Sequence, residues 1–259
     1  MKGLKNVVED SMLKNVSLIG RRKYKINEGL YLYIPTIGEI RGDCDEDEMN
    51  YQTMINLFMA TSTNYMVELD AMGINFENIS DWQLFGILFN GLNGKNLSLL
   101  FGINVVANFQ MQMCNEDNSI FYIVDEKANI KITQDVYEKI SNMLCKINNV
   151  TKEHRKFSNE FSRRHAIERQ IKVNQRNKER NKNISNSYLD NYITALVCTA
   201  DFPYNYETVL NVTLYDFIAS VKQIKKKYAV DNYHLGIYTG NIDINKSKIS
   251  QKDLDWFIT

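Results

Sequence analysis

From Lys152 to Lys182 the chain carries eleven lysines and arginines against four glutamates, and neither glycine nor proline interrupts the run. Nothing in it breaks an α-helix, few large apolar side chains are available for a core, and the charge keeps most of it in water. The run therefore predicts an exposed basic helix joining two bodies. It divides the 259 residues into an N-terminal part over 1–150, a connector over 151–185 and a C-terminal part over 186–259. The length agrees, since single domains ordinarily span roughly 100–200 residues.

Outside that run the composition is that of a folding chain. Apolar residues make up 44% and charged residues 24% of the sequence, which favours a packed core over wholesale disorder. The 31 basic and 31 acidic side chains cancel, so any attraction to nucleic acid or an anionic membrane has to be local. Met1 to Ile19 mixes Lys2, Lys5, Glu9, Asp10 and Lys14 among its apolar residues and lacks the apolar segment of a signal peptide. The longest apolar stretch, Trp82 to Leu92, is far shorter than the ~20 residues a membrane span needs. Cys44, Cys114, Cys145 and Cys198 are far apart, with no CxxC pair. That pattern predicts neither a disulfide framework nor a zinc site, and a reducing cytosol.

Helix signals dominate the N-terminal part. Leu4, Val7, Val8 and Met12 have helical spacing. Tyr24 to Ile34 reads as a hairpin around Asn27-Glu28-Gly29, ending at Pro35. Capping boxes are predicted at Thr36/Glu39, Asp45/Glu48 and Ser80/Gln83. The helical faces Tyr51, Met54, Ile55, Phe58, Met59 and Tyr65, Met66, Leu69, Met72 follow, the second stopping at Gly73. The helix after Ser80 is apolar nearly all round and marks the core. Phe109 to Met113 and Ile120 to Val124 alternate as a second hairpin, and Val136 to Ile147 forms a further helix behind Thr133.

In the C-terminal part Ser187 caps a helix with Leu189, Ile193, Leu196 and Val197 on one side. Thr213 caps another, with Leu214, Phe217, Ile218, Val221, Ile224 and Tyr228 inward. Ser250 and Asp253 cap a last turn bearing Leu254, Trp256 and Phe257. The fold class expected is α+β and mostly helical: an N-terminal lobe of short helices with β-hairpins, a basic connecting helix and a small helical C-terminal lobe.

Catalytic patterns are sparse. The acidic run Asp43, Asp45, Glu46, Asp47 and Glu48 has the clustered oxygens a hard cation needs, yet it lacks the glycine and distal glutamate of a calcium loop. Acids at a helix start serve as caps without any ion. His154 and His165 sit among Arg155, Arg163 and Arg164, where positive charge repels a metal. No nucleophile-elbow motif surrounds a serine, and Gly86, Gly91, Gly94 and Gly102 match neither phosphate-binding glycine pattern. The expectation is a protein without enzymatic activity, cofactor or bound metal.

The basic run is the candidate interaction surface. Phe157 with Phe161 and Ile167 with Ile171 fall at i,i+4 spacing, a narrow apolar stripe suited to a partner helix or to the body of the protein. Arg155, Arg163, Arg164, Arg169 and Arg176 stand beside it and could neutralise backbone phosphates. A docking connector is preferred over nucleic-acid contact. The interaction residues expected are Arg155, Phe157, Phe161, Arg163, Arg164, Arg169, Ile171 and Arg176. The many tyrosines of the C-terminal part, Tyr204, Tyr206, Tyr215, Tyr228, Tyr233 and Tyr238, suit core packing and protein interfaces alike.

Two stretches resemble proteins of phage and prophage virion-morphogenesis regions in low-GC Gram-positive bacteria. One is Tyr33 to Phe89, reading YIPTIGEI, NYQTMINLFMATSTNYMVELDAMGINF and ISDWQLFGILF. The other is Leu189 to Phe257, reading LDNYITALVCTADFPYNYETVLNVTLYDFIASVKQIKKKY with a GIYTG turn and DLDWF. The resemblance implies a bacteriophage structural or assembly protein in the host cytoplasm or the virion, with other phage structural proteins as oligomeric partners and no membrane. A tail-assembly chaperone binding the tape-measure protein, or a DNA-contacting packaging or connector factor, is the alternative.

Overall fold

The computed structural model describes residues 17–43, 45–114, 120–180, 187, 189–243, 249–250 and 254–257. The first predicted helix and the Ser250/Asp253 cap lie outside these residues at Leu4–Met12 and Asp253.

Leu30, Leu32 and Ile34 alternate with tyrosines and are all buried. They form the inner face of a hairpin in which β1 (Lys23–Lys25) pairs antiparallel with β2 (Tyr31–Tyr33), Tyr24 opposite Leu32. Thr36 then caps α1 (Ile37–Arg41) in a complete capping box with Glu39. The helices α2 (Asp45–Met59), α3 (Met66–Ala71), α4 (Asp81–Leu88) and α5 (Ser98–Phe101) follow. A second full capping box, Ser80 with Gln83, starts α4, and Gly73 closes the turn after α3 at φ +73°.

The core forms where α2, α4 and α6 (Gln134–Ile147) meet. Phe58 stacks on Phe85 with ring centroids 4.8 Å apart, Tyr137 lies 4.8 Å from Phe85, and Phe101 meets Phe58 edge-on. The Ser141 hydroxyl donates a buried 2.6 Å hydrogen bond to the Phe58 carbonyl, fixing α6 against the end of α2. Beside them lies an antiparallel sheet of β3 (Gln110–Met113), β4 (Phe121–Asp125) and β5 (Ile130–Ile132), with β4 in the middle. The strand β5 is absent from the sequence expectation, since three residues with only Ile130 and Ile132 apolar are too short for an alternation to register. Buried Asp125 supports it by accepting from the amides of Asn108 and Ala128.

The C-terminal residues add α8 (Leu189–Val197) and α9 (Leu214–Tyr238), the latter capped by Thr213 as expected. Two caps lie side by side: Thr36 and Thr213 pair as an antiparallel bridge. Around them the Leu214 amide donates to the Pro35 carbonyl at 2.8 Å and the Ile37 amide to the Val212 carbonyl at 2.9 Å. Leu189, Ile193, Leu196, Phe202, Leu214 and Phe217 join the same buried cluster as Leu18, Ile34 and Phe58. The apolar packing thus runs across the sequence boundaries drawn at 151 and 186.

Tyr228 corrects the expected inward face of α9, being 46% exposed. The helix also continues through Gly236, Ile237 and Tyr238, which the sequence places in a turn, and chain reversal comes at Gly240 with φ +74°. The fold is α+β and mostly helical, as expected. Among the described residues no helix is long and apolar enough to cross a membrane.

Candidate interaction surface

The basic run folds as two pieces. Its first residues form neither helix nor strand, and only α7 (Glu160–Arg180) is helical. Asn159 sets the start, its side chain accepting from the Ser162 amide at 2.8 Å, so the helix begins eight residues later than an unbroken basic helix from Lys152. The first piece is a strap bonded to the body at alternate residues. The Arg155 amide donates to Thr63 Oγ1 at 2.9 Å and the Phe157 amide to Glu77 Oε1 at 2.6 Å. Backbone donors used this way are lost to a helix, which overrides the helix compatibility of the side chains.

Charge anchors the strap upstream. Asp81, in the first turn of α4, holds Lys152 Nζ at 2.7 Å and His154 Nε2 at 2.9 Å. Lys152 Nζ also lies 5.4 Å from the centroid of the Tyr137 ring. Burial, with Asp81 nearby, pushes the Tyr137 hydroxyl far above the usual phenol range. Burial likewise raises the Cys145 thiol, against the opposing pull of Lys152.

Phe157 meets Phe76 edge-on at 6.2 Å. It packs with Ile167 against a small second cluster of Ala60, Met66, Leu69, Phe76 and Leu84. Half of the expected apolar stripe therefore docks on the protein's own body. The other half does not: Phe161 is 80% exposed and Ile171 37%. Phe157 precedes the helix, so helical spacing does not bring Phe161 beneath it. Ile171 borders α3 only at its flank and is left open there.

Arg155, Phe157, Phe161 and Arg169 converge on one open groove of about 700 Å³, with Met66, His165 and Val173 completing it. Ile171 lies on the opposite flank of α7, beside Val67 and Glu68. Arg163 is turned toward the body and lies 4.0 Å from Glu160, which also pairs with Arg164 at 3.3 Å. Arg176 stands on the last turns of α7, where every described side chain from Gln175 to Glu179 is exposed and where Gln175, Asn177 and Lys178 border Val67 and Glu68.

Sequence reasoning missed the acceptors Thr63, Glu77 and Asp81, which lie some 70 to 90 residues from their partners and leave no local pattern. Asn159 followed by Glu160 was a readable helix start. The acidic run is also resolved. Asp47 accepts from the Asp43 amide, and buried Glu48 turns to α8, accepting from the Ser187 hydroxyl and the Leu189 amide. Among the described residues no cluster of three or more metal-ligating side chains occurs.

A family model described as the YomV second domain matches residues 177–258, about a third of the chain, from the last turn of α7 through α9 to the C-terminal residues. No curated protein and no solved structure matches the chain. The matched family is of phage or prophage type, so the C-terminal third is similar to a phage-associated domain.

Proposed function

We propose that this chain is a non-enzymatic structural or assembly protein of a bacteriophage or prophage, acting through protein–protein contacts during virion morphogenesis in the host cytoplasm. The observation that carries the reading lies within the matched region. The distal half of α9 exposes Tyr228, Tyr233, Leu235 and Tyr238 to solvent. Tyr228 and Leu235 are two turns apart and share a face. Tyrosine serves protein interfaces well, because its ring buries a large area while its hydroxyl tolerates water. The non-enzymatic part of the reading is supported by the polar groups around the strap, since Asp81, Glu77 and Thr63 are all engaged in holding the chain in place.

The partners proposed are other structural proteins of the same phage, in its head, neck or tail. Mass spectrometry of purified particles tests this: abundant peptides from this chain place it in the virion. Their absence, together with co-purification of the tape-measure protein from infected or induced cells, makes it a transient tail-assembly chaperone instead. Recovery of the chain in neither fraction sinks the assembly reading. Tyr228→Ser with Leu235→Ser should release the partner while leaving the fold intact.

A further inference from the structure

Docking on α3 uses one side of α7 and sorts its charges. With Ile167 as the centre of the docked face, Arg169, Lys172 and Arg176 stand about 160°, 140° and 180° away at 100° per residue. Glu160 stands on the docked side at about 20°, while Glu168 and Glu179, at about 100° and 120°, flank the line on its Lys172 side. The cations nearer the body are engaged: Arg155 lies 3.0 Å from Glu153, and Arg163 and Arg164 both approach Glu160. Arg169, Lys172 and Arg176 are exposed, and among the described residues none belongs to an ion pair. Three cations outside any described ion pair thus form a line roughly 10 Å long on the solvent side of α7, with Arg169 at the rim of the groove that Met66 and Phe157 also line.

We propose that this outer face of α7 binds the phosphate backbone of duplex DNA without reading its sequence. A regular line of cations complements a regular line of phosphates, and an α-helix of roughly 10–12 Å diameter fits a major groove about 12 Å wide. Single strands are held by stacking successive bases on aromatic rings. Phe161 and His165 are the exposed ring side chains described on α7, and both sit toward its anchored end, so the line of cations carries charge and no stacking platform. Of the apolar stripe that would favour a protein partner, Phe157 and Ile167 are used within the chain and only Phe161 and Ile171 stay exposed. This proposal stands apart from the assembly reading and survives its failure.

Fluorescence anisotropy with the full chain and a mixed-sequence duplex of about 25 base pairs is the test, since phosphate contacts make binding salt-dependent. Three contacts predict a fall in affinity of about 40-fold between 50 and 200 mM salt. The triple variant R169Q/K172Q/R176Q should lose at least about tenfold in affinity and flatten the salt dependence. The control R163Q/R164Q, whose arginines approach Glu160, should stay within about twofold of the parent. Unchanged circular dichroism and unfolding midpoint of the triple variant assign its loss to the surface. The proposal is overturned by no binding at 50 mM salt, or by binding that the triple variant retains. It is also overturned by tighter binding of polyglutamate than of duplex, which marks an acidic-protein dock, or by preference for single strands that Phe161→Ala abolishes.

Discussion

The Glu48 carboxylate accepts a 2.8 Å hydrogen bond from the Ser187 hydroxyl, across 139 positions of chain, with both side chains buried. The Asp190 amide in turn donates to Ser187 Oγ at 3.1 Å, so Ser187 caps α8 while anchored to α2. Glu48→Ala removes the acceptor for both Ser187 and the Leu189 amide. It should cost about 1–3 kcal/mol in denaturant unfolding, the penalty for stranding buried donors. Asp47→Ala, at the partly exposed neighbour in the same acidic run, should cost less, about 1 kcal/mol or under. Equal losses at the two positions would argue against the buried tie.

The strap hangs on Asp81. Asp81→Asn weakens the grip on Lys152 and His154 together and should destabilise the protein by roughly 1–2 kcal/mol, more than an exposed pair, because Lys152 and Asp81 are only 15% and 18% exposed. Amide hydrogen exchange should then accelerate at Arg155 and Phe157 before it does in α6. Uniform acceleration across the chain would show instead that the strap opens only with global unfolding.

Glu39 predicts a component of acid sensitivity. Burial alone would raise its pKa, but the Thr36 amide and the Arg22 guanidinium at 2.5 Å outweigh burial and hold the carboxyl below the usual range. A depressed carboxylate pKa stabilises the fold above the unfolded value near 4.3 and loses that contribution as pH falls through the folded value. The pair is nearly half exposed, so its share is a few tenths of a kcal/mol. Glu39→Gln should flatten the stability curve by that amount between about pH 5 and 3, and leave the slope from pH 6 to 8 unchanged.

Gly86 lies under the sheet. A Cβ there would stand 2.7 Å from Phe121 Cζ, and Phe121 stacks on Trp82 at 4.5 Å with the rings 7° from parallel. Gly86→Ala should therefore cost about 1–3 kcal/mol despite alanine's better helix propensity. Pairing it with Phe121→Leu should recover part of the loss. Additive losses would show that the ring does not set the clearance.

Much of the architecture was readable where its cause is local. Thr36, Ser80 and Thr213 cap the helices their spacing predicts, and the alternation of Leu30 to Ile34 produces a hairpin with the expected inner face. What failed to show had distant causes. The strap stays out of the helix because Thr63 and Glu77 accept its amides, and neither is near it in sequence. The apolar stripe of the basic run was legible in composition, but which of its residues pack on the body was not. Period alone groups Phe161 with Phe157 and Ile171 with Ile167, but the point at which the helix starts and the side of α7 that meets α3 decide which of them is covered. Glu48 carried the signal of a cap and serves as a crosslink, because the ends of α2 and α8 meet only in the folded chain.

A helix seated on the body at Ile167 and followed, seven residues after Arg180, by the Ser187 tie to Glu48 behaves mechanically as a beam on two supports. Arg176 lies nine residues beyond Ile167, about 13 Å along the axis of α7. A load applied there reaches the body as a torque on the Ile167 contact with Met66 and Leu69, and through Asn159 as tension on the strap. A pull at Arg176 is therefore shared between the smaller cluster around Ile167 and the buried Glu48–Ser187 tie that leads to the main core.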